Sequence, residues 1–265
     1  MNLFMREMKS HRKALIIWCV GMVALIGSGM MKYAGFSSSG QSMNDLMSQM
    51  PKSLQAFLGV GTLDLSTATG YYGVLFLYIV LLATIHAAMT GATIISKEER
   101  DKTVEFLFVK PLPRKKVIGM KLLAALTQCG ILSLVTYIST YMIVGHYSSD
   151  AAFGGDITVT ILGMVMLQLL FLVLGTAIAA SAKTPAKAST IATGVLLFTF
   201  ILSFAIDLSE KIEGLKYLTP FKYFEAKNMM YGGGMNPLYV GISVVLIAVL
   251  AASTFVTYEK RDLHV

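Results

Sequence analysis

Six long apolar runs divide this chain, at residues 14–31, 71–95, 122–144, 157–181, 188–206 and 238–258. Each approaches or exceeds the roughly 20 residues that a membrane-spanning helix needs. The pattern therefore predicts six spans joined by five polar connections. Ahead of the first run, Leu3, Phe4 and Met8 form an apolar stripe among Arg6, Lys9, Arg12 and Lys13. That mixture predicts a short helix lying on the membrane surface. A cleaved leader is the rival reading, but 14–31 is longer than a usual leader core and five more spans follow. Two connections carry apolar positions of their own. Met43, Leu46, Met47 and Met50 share one helical face, and Leu54, Phe57 and Leu58 another beyond Pro51. Leu215, Leu218, Phe221, Phe224 and Met229 recur similarly between spans five and six. Both stretches read as short helices dipping into the outer interface. Gly232, Gly233 and Gly234 then permit a tight reversal into span six.

The connection 96–121 is the densest run of charge in a chain that is 55% hydrophobic and only 14% charged. Thr103 can cap a short helix there, with Glu105 in the first turn favoured by the helix dipole. Val104, Leu107 and Phe108 give it an apolar face. Lys110 before Pro111 ends it, and Pro113 suits the start of the next helix. The plain alternative is a solvated loop with an apolar patch on lipid headgroups. Both termini and the two even-numbered connections together hold sixteen Lys and Arg, against six on the opposite side. Cytoplasmic segments collect basic residues, so the count predicts a multi-pass plasma-membrane protein with both termini in the cytoplasm. The net charge of +7 is explained by that orientation without nucleic acid as a partner.

Candidate chemistry is sparse. No Gly-x-x-x-x-Gly-Lys-[Ser/Thr] phosphate loop and no metal-spaced Cys/His cluster occurs in the sequence. Cys19 and Cys129 fall inside apolar runs and read as buried thiols. Seventeen methionines suit Cu(I), but methionine is also a common adaptable hydrophobe. The six runs contain no Asp, Glu, Lys or Arg in their interiors, which argues against an ion-coupled pump. His86 is the titratable imidazole within them, and a packing role is its default reading. Ala83, Ala87 and Gly91 recur at i, i+4 and i+8, so another helix can approach closely; a cavity-lining face is the alternative. Gln128, Gln168, Thr193 and Thr199 suit hydrogen bonds between helices.

One stretch carries a family pattern: Glu98-Glu99-Arg100-x-Lys102-Thr103-Val104-Glu105-Phe106-Leu107, then Pro111-x-Pro113-Arg114 and Gly119-x-Lys121. With the six spans, the basic first segment and the ending Tyr258-Glu259-Lys260-Arg261-Asp262-Leu263, it resembles ABC transporter permeases of the type-2 export class. Where that family often has glycine before the threonine, this chain has Lys102. The resemblance implies an all-α integral membrane fold. It has six transmembrane helices, an N-terminal interfacial helix, a short cytosolic coupling helix after span two and short extracytoplasmic helices between spans five and six. It implies one permease domain over residues 1–265, paired with a second permease copy or a paralogous one. A cytosolic ABC ATPase subunit would carry ATP and Mg, leaving this chain without cofactor or enzymatic activity of its own. Contact with that ATPase would fall on Glu98, Glu99, Thr103, Glu105, Phe106, Pro111 and Arg114. Export of an amphipathic small molecule, antibiotic, peptide or lipid is the expected function. Ion or metal extrusion, uptake, and a non-transporting sensor partner are the alternatives.

Overall fold

The computed structural model describes residues 3–38, 49–51, 55, 63–102, 113–148, 150 and 152–260. Six long helices dominate: α1 (Leu3–Ser38), α2 (Ala68–Arg100), α3 (Arg114–Tyr147), α4 (Phe153–Ser181), α5 (Ala188–Leu208) and α6 (Pro237–Lys260). No strand occurs among the described residues. All six are long and apolar enough to cross a membrane. Each contains the matching apolar run, and α1, α2 and α3 extend well past theirs. The expected separate surface helix is continuous with span one, because α1 runs unbroken from Leu3. Nothing in residues 3–13 breaks a helix: there is no proline or glycine.

Helices α2 and α4 form the centre. They pack most extensively against each other, with α1 and α3 paired on one flank, α5 against α2, and α6 against α4. In their most apolar stretches 61% of residues are buried, against 22% in the α5 span and 11% in α6. The outer helices therefore turn most of their apolar surface outward, as lipid-facing helices do.

Glycines set the central crossing. A Cβ added at Gly91 would stand 2.2 Å from the carbonyl oxygen of Leu172, and one at Gly175 2.4 Å from that of Ala88. The α2 and α4 backbones touch where Ala87, Ala88 and Ala92, all fully buried, face this contact. Close approach of this kind is how helices associate when lipid removes the hydrophobic drive between them. Polar bonds pin the same pair. Tyr72 and Thr160 hydroxyls lie 2.8 Å apart. Gln168 accepts from the Ser133 hydroxyl at 2.5 Å and thereby ties α4 to α3.

Between α5 and α6 the chain forms 3-10 turns at Glu210–Tyr217 and Pro220–Tyr223 and a single α-turn at Ala226–Met229. Phe221 anchors them, its ring 5.2 Å from Phe171 and 5.1 Å from Phe200. Tyr231, Gly232 and Gly234 all adopt left-handed backbone, which makes the reversal before α6. The expected helices around Met43–Met50 and Leu54–Leu58 fall almost wholly outside the described residues.

Candidate functional site

Both ends of the connection between α2 and α3 are held at one end of the bundle, called here the charged end. Helix α2 closes with Lys97 and Arg100 in its last turn, where cations complement the helix dipole. Asp101 caps it, and its carboxyl is held below the usual range by a hydrogen bond from Arg100. Lys102 then adopts φ of +54°. That is the left-handed region where glycine carries no steric penalty. It is the position where the resembling family often has glycine. The chain is described again from Pro113, at the start of α3.

Glu98 turns inward. It is 5% exposed, and its carboxylate bridges two cations from different helices. One oxygen accepts from the Arg6 guanidinium of α1 at 3.0 Å. The other accepts from the Lys121 ammonium of α3. Lys121 is fully buried and also donates to the Ile94 carbonyl of α2 at 2.6 Å. Glu7, fully buried on α1, accepts from Arg6 at 3.1 Å. Its second oxygen makes no hydrogen bond among the described residues and lies 3.7 Å from Lys97 Nζ. Lys97 itself donates to the Ser10 hydroxyl at 2.5 Å. Three cations and two carboxylates thus join α1, α2 and α3.

The remaining expected site residues separate into three groups. Glu99, next to Glu98 in the chain, is half-buried. Arg114 opens α3 and donates to the Glu259 carbonyl at 3.0 Å, with the Lys115 ammonium 3.5 Å from the Glu259 carboxylate. The end of α6 is thereby drawn to the start of α3. Thr103, Glu105, Phe106 and Pro111, with the expected coupling helix, lie outside the described residues. Ala83, Ala87 and Gly91 belong to the packed core of α2. His86 is 3% exposed, edge-on to Trp18 of α1 at 5.5 Å, with Nε2 3.4 Å from the Thr90 hydroxyl. Its Nδ1 has no hydrogen-bond partner among the described residues.

Sequence reading missed Arg6, Glu7 and Lys121 as members of a buried cluster. A signal existed for Glu7, which sits between Phe4 and Met8 on the apolar stripe and so on the face that is covered. Lys121 sits one residue before an apolar run, where a lysine usually reads as snorkelling to the membrane surface. Cys19 is half-buried and Cys129 buried, both as free thiols. No group of metal-binding side chains occurs among the described residues.

Away from the charged end lies a cleft of about 440 Å³ whose lining includes Tyr33, Asp64, Thr69, Tyr147, Ser148 and Tyr231. Asp64 uses one oxygen on the Ser66 amide and hydroxyl, at 3.0 and 2.6 Å, so it serves the turn before α2. Nearby, Lys222 lies 2.5 Å from both Asp207 and Glu225, and Lys227 reaches the same two carboxylates.

Residues 1–263 match the family model described as ABC-2 family transporter protein. No curated protein matches the chain. The match covers nearly the whole chain, so the protein belongs to the ABC-2 family of transporter permeases, as its motifs and six spans indicated. It is a multi-pass membrane transport component, and permeases of this family generally work with an ATPase subunit.

Proposed function

We propose that this permease is the membrane-spanning subunit of an ATP-driven exporter and moves an amphipathic molecule. Two copies, or one copy and a paralogue, enclose the path, each chain contributing one six-span domain. A separate cytosolic ATPase binds ATP and Mg and drives transport through the connection after α2. Both termini and that connection face the cytoplasm. The observation that carries this reading is the family match over residues 1–263, in a sequence with no phosphate loop of its own. The charge distribution agrees with it. Of the four lysines between spans five and six that count against the orientation, Lys216, Lys222 and Lys227 are paired with carboxylates.

Within that reading, Glu105 offers charge to the ATPase and Phe106 fills an apolar cleft on it. Arg114, held to the end of α6, fixes the exit of the connection. The test is Phe106→Ala and Glu105→Ala in the reconstituted transporter. Truncating a buried interface aromatic commonly costs more than about 2 kcal/mol of binding. Both variants should insert at parent abundance while ATP hydrolysis continues without matching transport. A connection that merely rests on lipid predicts parent transport rates in both, and that result would refute the coupling role.

A further inference from the structure

Glu98 and Lys121 face each other across the two sides of the connection that carries the coupling motif. An ion pair is a poor choice there if stability alone matters. Removing two charges from water costs several kcal/mol each, and apolar residues of similar volume often hold helices as well or better. An ion pair supplies a single register instead. Lys121 is held by two acceptors one turn apart on α2, the Ile94 carbonyl and the Glu98 carboxylate. Glu98 in turn divides its oxygens between α3 and α1. Sliding α3 along α2 by one residue, about 1.5 Å, would pull a buried charge from its partner. Leucine and methionine would tolerate the same slide, since their contacts have no direction.

We propose that Arg6, Glu98 and Lys121 form an ionic clasp that locks α1, α2 and α3 into one register at the charged end. A displacement of the connection then moves three helices as one body instead of bending the end of α2 alone. Lys121 is the central positioning residue, being fully buried and tied to two groups of α2. Glu7 and Lys97 back the clasp from α1 and α2, with Lys97 closing on Ser10. The mechanical meaning rests on the coupling role proposed above, but the lock is a property of this chain and is tested without an ATPase.

The experiment uses the full chain in lipid nanodiscs, with Cys19→Ser and Cys129→Ala as background. Spin labels go on the exposed positions of Arg12→Cys and Lys116→Cys to read α1 against α3. A second pair, Arg100→Cys with Lys116→Cys, reads α2 against α3. Glu98→Leu with Lys121→Met should keep parent yield and thermal midpoint yet broaden both distance distributions, on the order of twofold, because apolar contacts do not fix register. Arg6→Gln, at the half-exposed rim, should broaden the α1–α3 distribution and leave the α2–α3 distribution unchanged. Should the apolar double variant fold poorly, the Arg6→Gln result decides alone. Parent-like distributions for both label pairs in a folded variant would overturn the clasp. Transport that stays uncoupled from these distances would count against the ATPase contact and leave the clasp standing.

Discussion

Both ends of the bundle bury charge, but they use it differently. At the charged end, partners come from three long helices: Arg6 and Glu98 are 92 residues apart and Lys121 and Glu98 are 23. At the opposite end, Lys222 finds Asp207 and Glu225 at 15 and 3 residues' separation, in the last turn of α5 and the turns that follow it. Lys121 is fully buried and Lys222 8% exposed, so burial hardly distinguishes them. Reach does. The first cluster holds helices together, whereas the second shapes a local turn beneath Phe221 and the stacked rings of Tyr223 and Tyr239, 4.8 Å apart. A buried ion pair therefore has to be judged by what its two ends belong to.

The largest expected effect comes from removing one partner at the charged end. Lys121→Ala leaves Glu98 buried with Arg6 as its remaining cation, and breaking such a pair typically costs about 3–5 kcal/mol. Thermal unfolding in detergent should show a large fall. Lys115→Ala, which removes only a partly exposed contact with Glu259, should leave the midpoint in place. Equal effects from the two would erase the distinction between buried and exposed ion pairs at that end.

A smaller effect is expected at the far end. Lys222→Ala removes hydrogen bonds to two partly exposed carboxylates, for a cost of roughly 1–3 kcal/mol. Its consequence should stay local. Hydrogen exchange should rise in the 207–231 turns and remain at parent rates in α1. Exchange that rises in α1 as well would show that the two ends are not independent.

The smallest effect concerns Lys227. Burial alone would lower its ammonium, but Glu225 and Asp207 outweigh burial and raise it above the ordinary lysine value of 10.5. A raised folded-state value stabilises the fold below the unfolded value, and that stability is lost as pH rises through the folded one. The parent should thus melt slightly above Lys227→Met at neutral pH, with the gap closing once pH passes the lysine range. A gap that persists or widens in alkali would show that the side chain acts through packing of its stem instead of its charge.

Much of the architecture was legible in the chain itself. The six apolar runs determined the number and order of the helices, because a span's length and hydropathy are local properties. The small residues Ala83, Ala87 and Gly91 could be placed on one stripe of α2 by their spacing alone, and all three are buried in the fold. The motif beginning at Glu98, taken with the six spans and the chain's ending, pointed to the family that the match over residues 1–263 shows. Tertiary structure alone decided what Glu98 does. In sequence it is one acid in a charged connection, where the family resemblance places it at the expected ATPase contact. In the fold it points into the bundle and meets Arg6 and Lys121. No local pattern announces such a meeting, since it depends on how α1 and α3 are rotated about their axes and how deep each sits beside α2. Helix rotation follows from the packing of every neighbour at once, with the backbone contact at Gly91 and Gly175 setting the centre. Charges 23 and 92 residues apart therefore find one another only after the helices have been placed.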